Sequence, residues 1–512
     1  PLVQVINYYD NYDFMYRTDL SARDEFRYTH EEGFAATSSG AKGMLTGIAK
    51  LHTDAYDQYR NGEYGVDSPY NYSVMYYDDR GRLSQTVSDN HLGGMDRDFF
   101  SYDFNGNALR HLHRQTGAGN EILSDSYTYE YDHAERLVKA LHRLGDAQEV
   151  ILIDNVYDDL GRLSRKTFHN GLLNTSYSYN IRSWLTGITG SSFEQVLHYT
   201  DGTGIPYYNG NISSMVWKSG EDDIMRGYHF TYDNLNRLTN AVYGEGSVLV
   251  QNQNRFNEQV TGYDKMSNIL GIKRSGQTSS TGYGLIDDLA MSYNGNQLKS
   301  VSDRATNSVY GNGFDFKDGV NKEAEYEYDE NGNMTKDLNK KILNIQYNFI
   351  NLPSRIEFEN GHVISYLYDA DGIKLRTTHI IGSDTTVTDY CGNVIYENGI
   401  PVKLLTEAGY VTLADSKYHY FVQDHLGNNR VVVDQSGNVE EVNHYYPFGG
   451  LLSSSVSNAV QPYKYNGKEL DRKNGLDWYD YGARMYDAAL GRWHAVDPMS
   501  EKYYSWSPYT YC

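Results

Sequence analysis

The chain has 512 residues and sets 67 acidic against 45 basic side chains, a formal charge of −22; so acidic a balance argues against nucleic acid or an anionic membrane as partner, because phosphate-binding surfaces need clustered Lys and Arg. Fifty Tyr, 16 Phe and 5 Trp exclude a disordered chain, and 48 Gly against 9 Pro fit many strands joined by tight turns. Apolar runs are of the size of Val431-Val432-Val433, whereas a transmembrane helix needs ~20 apolar residues.

From the N-terminus, residues 1–62 carry little internal pattern. From there to about residue 388 one phrase recurs: an alternating aromatic run ending in Tyr-Asp or Tyr-Asn, a polar turn, then an aliphatic residue. Clear copies are Tyr77-Asp78 to Leu83, Tyr131-Asp132 to Leu137, Tyr157-Asp158 to Leu163 and Tyr232-Asp233 to Leu238. Tyr328-Asp329 to Met334 replaces the Arg of the turn with Asn. Weaker copies fall at Tyr102, Tyr179, Tyr208, Tyr263, Tyr293, Tyr347 and Tyr368, so the anchors recur every 19 to 35 residues. Such a period predicts one β-hairpin per repeat.

Pairs such as Tyr127-x-Tyr129-x-Tyr131 put aromatics on one face at strand period two. Asn331-Gly332 and Asp371-Gly372 supply residues that tolerate positive φ. Asp precedes Arg by four in four copies, Asp78/Arg82, Asp132/Arg136, Asp158/Arg162 and Asp233/Arg237. The pair either closes across the turn, at ~0–1 kcal/mol for an exposed ion pair, or stays solvated. Tyrosine offers an apolar body for cross-strand stacking and a hydroxyl that can remain wet. A sheet bordering a large aqueous space selects that residue, which suggests a curved, hollow wall; a flat fibre or a solenoid uses the same chemistry.

From residue 389 to 512 the phrasing changes. In order come Tyr420-x-x-Gln423-Asp424-His425-Leu426-Gly427-Asn428-x-Arg430, then His444-Tyr445-Tyr446-Pro447-Phe448-Gly449 and Tyr465-Asn466-Gly467-Lys468-Glu469. Tyr481-Gly482-Ala483-Arg484-Met485-Tyr486 and Gly491-Arg492-Trp493 through Asp497-Pro498 follow. This ordered set resembles the RHS repeat-associated core, in versions from Bacteroidetes-type bacteria. The upstream repeats resemble the YD repeats shared with teneurin shells and the C components of Tc toxins.

The resemblance implies an all-β fold in which tandem hairpins spiral into a hollow shell capped by the core domain. It also implies that the shell of a bacterial polymorphic toxin encloses a C-terminal toxin, which the core frees by aspartic-type self-cleavage. Arg484 and Asp497 match two of the implied catalytic residues. A second Asp, expected in a DPxG stretch after Asn-Asn-Pro, is not in this chain, so the chain as given is expected not to cleave. Two close carboxylates share one proton, which is why that chemistry needs both. The structural alternatives are an ion pair for Arg484 and a turn cap for Asp497.

The partner so implied is the chain's own C-terminal toxin segment, with immunity or secretion components beside it, and a secreted or cell-surface location. The rival reading is a surface interaction protein that binds glycans or a partner through its exterior; a gene fragment without activity of its own is a third. No cofactor is expected: GxSxG, HExxH, Walker A and GxGxxG are all missing. Asp329-x-Asn331-Gly332-Asn333 has its Gly at the wrong place for a calcium loop and reads as a hairpin turn. His111-x-His113 shares a strand face but lacks a third metal ligand in sequence, and His425 and His444 are assigned to packing. Cys391 and Cys512 form no CxxC and predict no disulfide scaffold. Beginning at Pro1 without a signal peptide and ending at Cys512, the chain reads as a segment of a longer protein.

Overall fold

The computed structural model describes residues 3–16, 24–38, 40–54, 69–117, 122–220, 222–455 and 461–511. Cys512 and the boundary expected at 62/63 lie outside them. The described residues form 37 strands. The first twenty, from Val5–Asp10 to Gln297–Asp303, make one antiparallel sheet. The next thirteen, Tyr326–Tyr328 to Val439–Val442, make a second, and the last four, Glu469–Asp471 to Arg492–Trp493, a third. Within each sheet every strand pairs with the strand before and after it in sequence, as in Tyr70–Tyr77 with Leu83–Asp89 and Lys374–Ile381 with Asp384–Cys391. The strip is a meander of hairpins, as the tyrosine period predicts.

The repeat phrase has a definite local geometry. At Tyr77, Tyr102, Tyr131, Tyr232, Tyr293 and Tyr368 the register slips immediately before the tyrosine. A bulge there bends the strand and sharpens its twist. The Asp that follows ends the strand. In the first clear copy, Asp78 Oδ1 accepts the backbone N–H groups of Arg80 and Arg82, both at 2.9 Å, while Oδ2 takes the Arg82 guanidinium at 2.8 Å. Asp132, Asp158 and Asp233 repeat the arrangement, with Nε–Oδ2 distances of 2.8, 2.8 and 2.7 Å. The third residue after the Asp takes positive φ, whether Gly81 at 77° or Glu135 at 61°.

All four Asp–Arg pairs therefore close. Their worth lies less in the ion pair than in the two backbone donors that the same carboxylate satisfies. Burial alone would raise the Asp78 carboxyl, but the Arg82 N–H and guanidinium outweigh it and hold it below its ordinary range. Asn takes the Arg slot without loss of the bond: Asn333 Nδ2 donates to Asp329 Oδ2 at 2.9 Å. Asp329 is thus a turn cap.

Two expectations need correction. The anchor hydroxyls do not stay wet. Tyr102 donates to the Leu83 carbonyl at 2.8 Å, Tyr157 to Leu137 at 2.9 Å, Tyr232 to Ile212 at 3.0 Å and Tyr347 to Met334 at 2.6 Å. These bonds tie a hairpin to the one before it, although the buried Tyr368 hydroxyl makes none, and the preceding turn's arginine lies over the ring, Arg82 over Tyr102 at 5.0 Å and Arg136 over Tyr157 at 4.6 Å. A half-buried hydroxyl that loses water on folding finds its replacement partner in a carbonyl of the preceding hairpin. Tyr208, for its part, is not an anchor. It is 69% exposed in the connection between Phe193–His198 and Ser214–Ser219, where Gly202, Gly204, Pro206 and Gly210 interrupt the strand pattern. Tyr199 takes its place and donates to the Leu185 carbonyl at 2.8 Å.

The strip breaks twice, between Val442 and Glu469 and, first, between Asp303 and Tyr326, inside the widest anchor spacing. After that first break the second sheet folds back. One buried cluster joins Tyr127, Phe168, Trp217 and Tyr243 of the first sheet to Cys391, Tyr396, Tyr418 and Val431 of the second, so the two lie face to face. The second sheet runs through position 389 inside the strand Asp384–Cys391. Another cluster joins Ile272, Leu289 and Val301 to Ile345, Ile356 and Tyr368 and to Tyr465, Trp478, Tyr486 and Trp493 of the closing section.

Candidate functional site

The closing section is held by charged groups that are buried and paired. Arg274, in Ile269–Gln277, is 2% exposed; its Nε bonds Glu258 at 2.5 Å, its Nη1 Asp287 at 3.0 Å and its Nη2 the Ala488 carbonyl at 3.1 Å. Glu258 in turn accepts the Phe448 N–H and Asp287 the Phe316 N–H, each at 2.9 Å. One guanidinium thus joins the first sheet to the closing section and, through Asp287, to the stretch between Asp303 and Tyr326. Burial raises both carboxyls despite that cation, Asp287 to about 6, because one positive charge must serve two acids.

The Asp-His-Leu-Gly-Asn-x-Arg phrase is a buried version of the repeat turn. Asp424 Oδ2 takes Asn428 Nδ2 at 2.9 Å and Arg430 Nε at 2.6 Å. Arg430 lies over the rings of Trp217 and Tyr445. Both histidines of these phrases bridge to the first sheet: His444 Nδ1 accepts the Trp217 indole N–H at 3.1 Å, and His425 Nδ1 meets Gln195 Oε1 at 3.1 Å. Burial, with Arg226 and Arg430 nearby, pushes the His444 imidazole well below its ordinary value.

Arg484 and Asp497 come together. Arg484 sits on the turn between Trp478–Asp480 and Met485–Asp487, which Gly482 makes at φ 82°. Its Nη2 meets Asp497 Oδ2 at 2.8 Å, its Nη1 reaches the Pro508 carbonyl at 3.4 Å, and its guanidinium lies 4.3 Å over Trp493. Asp497 Oδ1 accepts the Met499 N–H at 2.7 Å, and its own N–H bonds the Pro508 carbonyl at 3.0 Å. The pair is partly exposed, at 16% and 32%. Among the described residues no second carboxylate bonds Asp497, so what the geometry offers is one fixed carboxylate, one cation and a strapped backbone.

Residues 507–511 cross this site. Ser507 N–H bonds the Met266 carbonyl at 2.7 Å, Thr510 bridges Arg492, and the Tyr509 hydroxyl donates to the Gly332 carbonyl at 2.7 Å. Tyr511 stacks on Tyr486 at 4.2 Å. The segment thus lies against the hairpin turn at Met266 and Ser267 of the first sheet and the turn at Gly332 of the second.

His111 and His113 meet aspartates: His111 meets Asp98 at 2.7 Å, and His113 meets Asp125 at 3.0 Å and Asp96 at 3.4 Å. Cys391 is buried and free. The Arg274 triad escaped sequence reading because its members belong to different phrases, and Arg274 stands outside any repeat turn. No described helix is long and apolar enough to cross a membrane.

Comparison with known proteins places this geometry. A family model described as Teneurin YD-shell matches residues 404–508. Salivary gland surface protein 1 of Aedes aegypti is 32% identical over 210 residues, 36% of this chain and 6% of its own length. Toxin subunit YenC1 of Yersinia entomophaga is 24% identical over 445 residues, 75% of this chain and 43% of its own. The crystal structure of TcdB2-TccC3 superposes with a TM-score of 0.63 at 15% identity, covering 91% of this chain and 26% of that one. The same complex without its hypervariable C-terminal region gives 0.56 at 14%, covering 89% and 30%. The chain spans less than half the length of each of these relatives, and the structural likeness is one of fold. The chain is thus similar to the YD-repeat shells of Tc toxins and teneurins, in fold over most of its length and by the family model over residues 404–508.

Proposed function

We propose that this chain is the wall and closing end of a bacterial cage that encloses a toxin segment following it, the segment being freed by self-cleavage near Asp497. One observation carries this reading: residues 507–511 are pinned to hairpin turns of both large sheets and bonded to Arg484 and Asp497, so a polypeptide continuing from them leaves beside that pair. Asp497 would be one acid of a dyad completed downstream, with Arg484 holding the charged partner or the developing oxyanion. The likeness to a toxin subunit supports the reading, and a secreted or cell-surface location goes with it. So does a partner set of the enclosed segment with immunity or secretion components.

The likeness to a salivary gland surface protein favours a second reading, a surface protein that binds glycans or a partner through the shell exterior. One experiment separates them. The chain is expressed through its natural C-terminus beside an Asp497→Asn variant, and both are followed by denaturing gel and intact mass. A tail severed in the wild type and retained in the variant supports the cage. An uncut, folded wild-type chain overturns it and brings the surface reading forward.

A further inference from the structure

The last strand of the second sheet, Val439–Val442, buries Glu441, and Asn443, two positions on, falls on the same face. Glu441 stands opposite Val432, and the Asn443 N–H bonds the Arg430 carbonyl at 2.8 Å, which extends the ladder by one residue. The segment that opens the closing section docks on the same strand: the Asn429 N–H bonds the Lys464 carbonyl at 3.1 Å. Asn443 Nδ2 donates to the carbonyl of that same Asn429 at 3.0 Å. One residue therefore brings Asn443 and Lys464 to a single place.

Three nitrogens converge there on Glu441 Oε1: Asn443 Nδ2 and Lys464 Nζ each at 2.5 Å, and Gln461 Nε2 at 2.8 Å. The Asn429 carbonyl can only accept, so the Asn443 atom facing it is the amide nitrogen. Sharing one oxygen, the Lys464 and Asn443 nitrogens lie at most ~5 Å apart. The group is sealed from water, with Glu441 1%, Asn443 0% and Lys464 4% exposed. Burial pushes the Lys464 ammonium below its ordinary value, although Glu441 opposes the shift. A desolvated lysine is a nucleophile and the side-chain amide beside it an electrophile; the carboxylate touching both can carry a proton from one to the other.

We propose that Lys464 and Asn443 join in an intramolecular isopeptide bond, with Glu441 as the proton carrier. The Lys464 ammonium passes a proton to the Glu441 carboxylate, and the freed electron pair on Nζ attacks Asn443 Cγ to form the new N–C bond. Glu441 then returns its proton to Nδ2. The Cγ–Nδ2 bond breaks with its electron pair on nitrogen, and ammonia leaves, taking the second proton shed by Nζ as ammonium. Nothing is oxidised or reduced, and Glu441 ends as it began. Fixed proximity replaces the encounter that makes amide aminolysis slow in solution, and the dry site removes hydrolysis as a competitor. The product ties the edge of the second sheet covalently to the closing section. The assignment rests on neither reading above, since it needs neither an enclosed toxin nor the shell exterior.

The test is mass spectrometry of the 512-residue chain, first intact and then denatured and digested with trypsin and chymotrypsin, which opens the loop after Tyr445 and Phe448. The folded wild type is expected to weigh one ammonia less than its sequence and to resist trypsin after Lys464. Its digest should hold a branched peptide joining Asn443 to Lys464. Lys464→Met and Glu441→Gln, each with an unchanged circular dichroism spectrum, are expected to lose the branched peptide. Full mass with ordinary cleavage after Lys464 in the folded wild type overturns the proposal, and that result needs no variant. A lost ammonia traced to a succinimide at an Asn-Gly such as Asn331-Gly332, or to a branch on Gln461, overturns it as well. So does a link that persists in the folded Glu441→Gln chain.

Discussion

Replacing Arg274 by Met isolates the contribution of the buried clamp. The substitution keeps length and packing but strands Glu258 and Asp287, both fully buried, without a cation. At pH 7 each acid must then either stay charged without a partner or take up a proton, Asp287 already standing at about 6 with the arginine in place. The loss should be the ~3–5 kcal/mol typical of a broken buried pair. Because Arg274 also holds the Ala488 carbonyl and Glu258 the Phe448 N–H, the loss should be local before it is global. Hydrogen exchange followed by mass spectrometry should show faster exchange at residues 445–452 and 485–493, with the hairpins between Ile122 and Phe168 unchanged. The deficit should shrink at pH 5, where the stranded acids protonate more cheaply. A triple apolar replacement of Arg274, Glu258 and Asp287 should recover most of the stability. Uniform loosening of the whole chain, or a loss below ~1 kcal/mol, would refute the clamp.

Burial would lower the His113 imidazole, but its bonds to Asp125 and Asp96 outweigh that and raise it to about 10, while the same histidine, with His142, pulls Asp125 well below its ordinary range. A raised imidazole contributes fully below its unfolded value near 6.5 and loses that contribution as pH climbs toward 10; a depressed carboxyl contributes above its unfolded value near 3.8 and loses it on acidification. Urea midpoints should therefore peak between about pH 4 and 6.5, and His113→Asn should remove roughly 3–5 kcal/mol of the fall toward pH 10; an alkaline limb as steep in the variant as in the wild type would count against it. Tyr232→Phe should cost about 1 kcal/mol by orphaning the Ile212 carbonyl, whereas Tyr208→Phe should cost nothing measurable in the same denaturation assay.

The turns were legible because their information is local. Asp and Arg four apart, with a residue tolerant of positive φ between them, specify the cap before any tertiary contact forms, and the tyrosine period gives the hairpin count to within one misplaced anchor. Tyr208 misled because its Tyr-Asn-Gly context copies the phrase while Pro206 and the flanking glycines deny it a strand. Arg484 and Asp497 were found as a pair from their phrases, 13 positions apart. The rest is not written locally. Which face of Asp384–Cys391 meets the first sheet depends on partners such as Gln115, whose amide donates to the Cys391 carbonyl across 276 positions. The ion pair between Lys374 and Glu469 likewise joins residues 95 positions apart.

The stitching tyrosines have a direction. In every pair described, the hydroxyl donates to a carbonyl earlier in the chain: Tyr102 to Leu83, Tyr157 to Leu137, Tyr232 to Ile212, Tyr347 to Met334. A hairpin emerging from the ribosome thus finds its acceptor already in place, and the wall can grow by accretion, each course set on the last, with little loop-closure entropy to overcome. The closing section obeys the opposite rule, since Arg274 must wait 214 residues for Ala488. The order of synthesis and the order of assembly then coincide until the final step, and the wall stands before it is sealed.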